Sequence, residues 1–212
     1  NFRVDKGDKI GLVGRNGAGK TTLTKVLAGD GQASEGFVEK SGEIGYLPQD
    51  PRSGDPEELA RTRILNARGL GSILEQMEAA SHDMGSTDEK IYDAAMERYS
   101  KLQDRFESGG GYAAEAQAAA IASNLGLKEQ ILNQPLKTLS GGQRRRIELA
   151  RILFSDAETM ILDEPTNHLD ADSVVWLREF LKGYQGGLIV ISHDVDLVEE
   201  TVNRVFYLDA MR

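Results

Sequence analysis

The chain has 212 residues, of which 40% are hydrophobic and 28% charged, and its formal net charge is −9. This length suits one α/β domain with an insertion, the composition excludes a disordered chain, and no apolar run approaches the roughly 20 residues of a membrane-spanning helix. The lack of cysteine excludes disulfides and thiolate metal sites, and the acidic balance argues against broad attraction to nucleic acid. Because the first residues show no secretory signal and look like the middle of a strand, we expect a cytoplasmic domain of a longer protein.

The first predicted unit is a strand, a glycine-rich loop and a helix. A strand over 9–13 leads into G-R-N-G-A-G-K-T-T at 14–22, which fits G-x-x-x-x-G-K-[S/T] without a mismatch. Its glycines allow backbone N–H groups to turn toward a phosphate, Lys20 can reach the β and γ phosphates, and the Thr21 hydroxyl can ligate Mg²⁺. The helix that follows, closed by Gly29, would direct its positive end at the anion. The alternative is a glycine-rich turn with a surface lysine.

Two short strand candidates follow this helix. They cover 36–39 and 43–47, and Pro48 ends the second. Gln49 then lies on a loop, where its amide could point toward the phosphates. The alternative is an ordinary surface residue.

Residues 50–138 are predicted to be helical. Capping patterns predict helix starts at Asp55 and at Ser86. Apolar residues at spacings of three and four form one seam on each of two helices, which we expect to pack as an antiparallel hairpin turned at 81–85. The seam residues are Leu70, Ile73, Met77 and Ala80, then Tyr92, Ala95, Tyr99, Leu102 and Phe106. Glycines at 109–111 end the second helix, and an alanine-rich helix over 112–124 follows it.

Residues 139–212 return to α/β alternation. Strands are predicted at 159–162, 188–191 and 204–208, with helices at 144–154, 172–181 and 194–201. The arginine run at 144–146 is interpreted as structural or interdomain rather than as a nucleic-acid site.

Three groups in this last part carry candidate chemistry. Asp163 and Glu164 follow a buried strand, at the edge where parallel sheets bind ligands, so they could hold a metal and orient or deprotonate water. His193 follows the next strand at the same edge, where it could bond a γ-phosphate. Ser140 and Gln143 have the spacing of a capping box, so the start of this helix is either an anion site or an ordinary cap. The acids could likewise be ordinary solvent-facing residues.

The order of these motifs resembles a known family. Phosphate loop, Gln49, L-S-G-G-Q at 139–143, hydrophobic-Asp-Glu ending at Glu164 and strand-His193 together resemble the nucleotide-binding domains of ATP-binding cassette (ABC) proteins, over nearly the whole chain. The resemblance implies an α/β P-loop NTPase fold of ABC type, with a mostly parallel core sheet, a small antiparallel β part and an inserted helical subdomain. The ATP-binding core would comprise 1–49 and 139–212, and the helical subdomain with an arm-like hairpin would comprise 50–138.

The resemblance also implies roles for single residues. Lys20, Glu164 and His193 would be catalytic, with Glu164 as the base and His193 sensing the γ-phosphate. Mg²⁺ would be held by Thr21, Gln49 and, through water, Asp163. The nucleotide-binding set comprises Asn16, Gly17, Ala18, Gly19, Lys20, Thr21, Thr22, Gln49, Ser140, Gly141, Gly142 and Gln143. Of these, Ser140, Gly141 and Gly142 would close over the ATP of a second cassette, with Asp170 at the seam, so full ATPase activity would need that partner.

One subfamily fits best. Residues 164–170, E-P-T-N-H-L-D, resemble the ABC-F proteins, in which Asn-His replaces the Ser-Ala often found in transporter cassettes. The long helical region suits the arm that ABC-F proteins carry in their first cassette. This implies a soluble ATPase acting on the ribosome, as a translation factor or in antibiotic resistance.

Several points stay open. An energy-coupling subunit of a membrane transporter and a regulatory nucleotide-binding module without turnover are the alternatives. The family's interdomain linker and second cassette are absent from this sequence. The aromatic residue that stacks on adenine would precede residue 1, and Phe2 is only a weak candidate.

Overall fold

The computed structural model describes residues 2–50 and 54–209. Strands and helices alternate at both ends of the chain, and the middle is helical. The elements are β1 (Lys9–Gly14), α1 (Lys20–Ala28), β2 (Ile44–Leu47), α2 (Ala60–Leu65), α3 (Gly71–Asp83), α4 (Glu89–Ser108), α5 (Gly111–Asn124), α6 (Glu129–Leu132), α7 (Gly141–Phe154), β3 (Thr159–Asp163), α8 (Ala171–Gly183), β4 (Gly187–Ile191), α9 (Val195–Thr201) and β5 (Arg204–Leu208). Short 3₁₀ helices lie at Asn66–Arg68 and Leu136–Thr138.

The sheet is parallel throughout the described residues. Its order is β2-β3-β4-β1-β5, and every neighbouring pair runs in the same direction. All residues of β4 are buried, as expected of a strand covered on both faces. The carboxyl ends of the strands therefore meet at one edge, and the predicted α/β fold with a parallel core sheet is confirmed.

The predicted antiparallel β part is absent from the described residues, apart from one isolated bridge. The segment 36–39 is not a strand: Phe37 is 83% exposed, and Gly36 before it and Gly42 after it have φ of 83° and 82°. A short strand is stable only when it is paired and buries one face, and this segment does neither. The second candidate forms β2, which pairs with β3 in parallel. Residues 2–5 are likewise irregular.

The helical hairpin has the predicted seam except at Tyr92, which is exposed. Met77 of α3 and Ala95 and Phe106 of α4 are buried. A Cβ added to Gly109, just after α4, would lie 3.1 Å from Leu70 Cδ2, just before α3. The start of one helix thus meets the end of the other, and α3 and α4 pack in opposite directions. Among the described residues, no helix is both long enough and apolar enough to cross a membrane.

Two predicted helix starts are wrong. Asp55 accepts a hydrogen bond within a turn, and α2 begins later because Leu59 forms an antiparallel bridge to Pro135 that keeps this backbone extended. The N-cap of α4 is Asp88, whose side chain accepts from a backbone N–H in the first turn, rather than Ser86. The start of α2 is therefore set by pairing with a distant residue, and the local spacing of residues around Asp55 contains no signal of that pairing.

The core has two parts, one on each side of the sheet. Ile161 and Ile189 pack with Leu23 and Leu27 of α1 on one face. Successive strand residues point to opposite faces, so the neighbouring residues of β3 and β4 pack on the other face with α7 and α8. The sandwich holds the N-terminus of α1 against the edge where the strands end.

Candidate functional site

The glycine-rich loop is shaped by two backbone constraints. Gly14 ends β1, and a Cβ there would lie 2.3 Å from Leu208 O of β5, so a side chain has no room. Gly17 and Gly19 have φ of 79° and 92°, a region that favours glycine, and Gly19 is the N-cap of α1. The loop therefore leads directly into the N-terminus of α1, as the sequence predicts.

The remaining loop residues are placed as follows. Asn16 and Gly17 are exposed at the tip, and Thr22 is exposed on the first turn of α1. The Ala18 N–H donates to Arg15 O at 3.1 Å, so this amide is engaged within the loop.

Lys20 and Thr21 begin α1. Lys20 Nζ donates to Gly14 O at 2.8 Å and to Arg15 O at 3.1 Å, so the ammonium lies folded over the loop. Thr21 Oγ1 donates to Asp163 Oδ2 at 2.8 Å, which joins the loop to the end of β3. Asp163 is buried, so its carboxylate is held in place.

This oxygen pair suits Mg²⁺. A hydroxyl and a carboxylate are the hard oxygen ligands that Mg²⁺ prefers, and the ion usually completes its shell with water and substrate phosphates. The described residues contain no group of three or more His, Cys, Asp or Glu able to hold a metal.

Glu164 and His193 meet at the same edge. The backbone N–H of His193 donates to Glu164 Oε2 at 3.3 Å, and the ring Nε2 of His193 lies 3.4 Å from Glu164 Oε1. The Glu164 side chain is 9% exposed, whereas that of His193 is 73% exposed. Glu164 also has a positive φ of 51°, a conformation that costs about 1–3 kcal/mol and is typical of functional sites. A hydrogen bond of 2.8 Å from its N–H to Ile191 O helps to hold it there.

Gln49 is exposed on the loop that follows β2. Its backbone carbonyl is bound by Arg145, a residue that the sequence analysis did not place in the site. Arg145 Nη1 donates to Pro48 O at 2.9 Å and to Gln49 O, and Nη2 donates to Asp163 O at 2.6 Å and to Glu164 O at 2.9 Å. Burial lowers the pKa of Arg145, and the carboxylates of the site oppose that shift.

A signal for Arg145 exists in the sequence. It lies four residues before Leu149 and seven before Ile152, so it belongs to the face of α7 that packs in the core. Arg144 is exposed, so the three arginines of the run do not act as a unit.

The start of α7 forms a separate feature. Ser140 Oγ accepts from the Gln143 N–H at 3.2 Å, and the Ser140 N–H donates to Gln143 Oε1 at 2.9 Å, so the predicted capping box is confirmed. Gly141 faces open space, and a Cβ on Gly142 would lie 3.5 Å from His168 Cβ. These contacts are with α7 itself and with the segment after β3.

Asp170 lies beside this patch as the N-cap of α8. Its side chain accepts from the Ser173 N–H at 2.9 Å, and hydrogen bonds from Ser173 lower the pKa of the Asp170 carboxyl. A Cβ added to Gly126 would lie 3.1 Å from both Asp170 Oδ2 and Arg146 Nη1, so the end of α5 packs against this corner.

Comparison with known proteins identifies the family. A family model described as "ABC transporter" matches residues 1–167. The chain belongs to this family of ABC cassettes. Such cassettes are ATPases, so the phosphate loop and the strand-end residues lie in an ATP-binding domain.

Individual relatives of this ABC cassette agree. It is 39% identical over 217 residues to the tylosin resistance ATP-binding protein TlrC of Streptomyces fradiae, a match that covers 99% of this chain and 39% of that protein. It spans between 31% and 41% of the length of eight curated relatives that it matches.

Solved structures share the fold. A dimeric ATP-binding cassette in a post-hydrolysis state with ADP and Pi has a TM-score of 0.65 at 20% identity, covering 99% of this chain and 84% of that one. The archaeal ribosome recycling factor aABCE1, solved with the ribosomal stalk protein aP1, has a TM-score of 0.63 at 24% identity, covering 96% of this chain and 32% of that one.

Proposed function

We propose that this ABC cassette binds and hydrolyses ATP within an ABC-F protein that acts on the ribosome. ATP would drive head-to-tail closure against a second cassette. The observation that carries the catalytic part is the convergence of Thr21, Asp163, Glu164 and His193 at one edge of the sheet, within hydrogen-bonding or ion-pair distance of one another in two pairs.

The first pair would serve nucleotide binding. The backbone amides of 16–22, apart from that of Ala18, which donates to Arg15 O, and the Lys20 ammonium would bind the phosphates. The ammonium already lies over carbonyls of that loop. Thr21, Gln49 and Asp163 would hold Mg²⁺, which when bound neutralises phosphate charge. The present hydrogen bond between Thr21 and Asp163 keeps both oxygens at one place.

The second pair would serve hydrolysis. Glu164 would accept the proton of the attacking water, and His193 would hold Glu164 on one side and reach the γ-phosphate on the other. The exposed imidazole and buried carboxylate suit these roles, since the first must meet a ligand and the second must stay fixed.

The patch at Ser140, Gly141, Gly142 and Gln143 would complete the site of a second cassette. Support comes from the exposed Gly141 and from the contact of Gly142 with His168. Each of the two ATP sites would then consist of the phosphate loop of one cassette and the Ser140–Gln143 patch of the other.

A concentration series tests this division. We expect residues 1–212 alone to bind Mg-ATP and to hydrolyse it slowly when dilute, because the opposing patch is missing. The rate per chain should rise with chain concentration as two copies meet, as measured by phosphate release. Fast turnover that is independent of concentration, by a chain shown to be monomeric, would contradict the division.

The ribosomal part rests on three supports. They are the Asn167-His168 pair that resembles ABC-F proteins, the α3–α4 hairpin as a candidate arm, and the relatives described as a tylosin resistance protein and a ribosome recycling factor. A second candidate, the energy-coupling subunit of a membrane transporter, is favoured by the description "ABC transporter" of the matching family.

Sedimentation separates these candidates. We expect the full-length protein with Glu164→Gln to pellet with ribosomes in ATP, because slow hydrolysis traps the closed form. The control adds Lys20→Ala to the same variant. At an ATP concentration near the wild-type Kd it should stay in the supernatant, because its weakened ATP binding leaves most of it without nucleotide. If the trapped protein leaves the ribosomes and copurifies with membranes, the transporter reading replaces the ribosomal one.

A further inference from the structure

Arg145 binds four backbone carbonyls of the candidate site. Two belong to the loop after β2, at Pro48 and Gln49, and two belong to the end of β3, at Asp163 and Glu164. The two terminal nitrogens thus bond to four acceptors, and buried Nε has no partner among the described residues. One side chain therefore ties together two loops that are far apart in sequence.

Packing alone does not account for this residue. Burying a guanidinium is costly unless it is paired, and the same face of α7 is otherwise filled by Leu149 and Ile152. Three of the four carbonyls that offset this cost belong to Gln49, Asp163 and Glu164, which are proposed as metal ligands and base. A planar fork with donors on both sides suits two pairs of carbonyls, whereas an ammonium has three donors and no fork.

The position of Arg145 on α7 adds a second point. The helix begins at the Ser140–Gly142 patch, and Arg145 lies about one turn further on. A shift of the first turn of α7 would therefore move the guanidinium that holds Gln49 and Glu164.

We propose that Arg145 is a positioning residue, which fixes the Gln49 loop against the Asp163–Glu164 strand end and couples both to docking of the first turn of α7. This inference rests on the proposed function, since it assumes that these residues form the ATP site. It predicts that Arg145 acts on turnover more than on nucleotide binding.

The test uses the full-length protein with Arg145→Gln and Arg145→Lys. For Arg145→Gln we expect kcat to fall about 10- to 100-fold, the usual effect of losing a residue that orients ligands, with the Kd for ATP within about threefold of wild type. The Mg²⁺ concentration that gives half-maximal rate should rise. The kcat of Arg145→Lys should be intermediate between those of Arg145→Gln and wild type, because lysine keeps the charge and lacks the planar arrangement of donors.

Arg151→Gln is the matched control. Arg151 lies on the same helix and is also ion-paired, with its Nε 2.9 Å from Glu148 Oε2, and it has no bond to the four carbonyls. We expect its thermal unfolding temperature to fall and its kcat to stay at the wild-type value. If Arg151→Gln lowers kcat as much as Arg145→Gln, the effect is one of helix stability and the inference fails.

Lys20→Ala separates the two levels of the proposal. If Lys20→Ala is inactive and both Arg145 variants keep wild-type kcat and Mg²⁺ dependence, only the positioning role is wrong. If Lys20→Ala keeps wild-type turnover, the proposed ATP site is wrong and the inference falls with it. Should Arg145→Gln fail to fold, Arg145→Lys carries the same test.

Discussion

Replacing Glu164 by Gln is expected to lower kcat for ATP hydrolysis by about 10²- to 10⁴-fold, the usual contribution of a general base, while ATP binding is retained. The amide cannot take a proton from water at neutral pH. It keeps the size of the carboxylate and an oxygen that can accept the His193 N–H, now 3.3 Å from Glu164 Oε2. Single-turnover hydrolysis and equilibrium binding of ATP by the full-length protein give the two quantities.

Lys20→Ala is the contrasting variant. Because it removes a charge-assisted phosphate contact worth about 1.5–3 kcal/mol, we expect ATP binding to weaken about 10- to 150-fold. Loss of binding in one variant and loss of chemistry in the other would assign the two roles. If wild type and Glu164→Gln release phosphate at the same slow rate, the cassette is a binding module without turnover.

The parts of the fold that could be predicted from sequence are those fixed by local rules. The phosphate loop is an example, because its glycines, the buried strand before it and the helix after it lie within 20 residues, and Gly29 ends that helix as expected with φ 94°. The capping box at Ser140 is another, since both of its hydrogen bonds join residues three apart.

The parts that could not be predicted depend on distant partners. The segment 36–39 has the composition of a strand, yet nothing in the described residues pairs with it. Asp55 has the composition of a helix cap, yet the bridge between Leu59 and Pro135 delays the helix. Composition gives a tendency, and the presence of a partner decides the outcome.

The candidate site shows the same division. Motifs indicate Lys20, Thr21, Asp163, Glu164 and His193, and the structure brings them to one edge because the strands are parallel. Arg145 was missed because its acceptors are backbone carbonyls of other segments. Every residue has a backbone carbonyl, so a sequence motif cannot identify these acceptors. The role of Arg145 can be recognised only from the structure, in which the segments lie beside one another.

Glu148→Ala is expected to lower the free energy of unfolding by about 3–5 kcal/mol, because it removes one partner of a buried ion pair and leaves the charge of the other partner uncompensated. Glu148 is 4% exposed and accepts from Arg63 Nε at 2.6 Å and from Arg151 Nε at 2.9 Å, so it joins α2 to α7. Glu58 lies 3.8 Å from Arg63 and would offset part of the loss, which favours the lower end of the range. Urea unfolding of residues 1–212 measures the change.

Glu97→Ala is the matched surface variant for this measurement. Glu97 pairs with Lys101 at 2.6 Å, but its side chain is 69% exposed, so solvent screens the pair and the urea midpoint should stay near that of wild type. A lower urea midpoint for Glu148→Ala without a change in the slope of the transition would place the loss of stability in the folded state. The slope reports the surface exposed on unfolding. A midpoint for Glu148→Ala equal to that of Glu97→Ala would show that the apolar contacts between α2 and α7 hold these helices together without the ion pair.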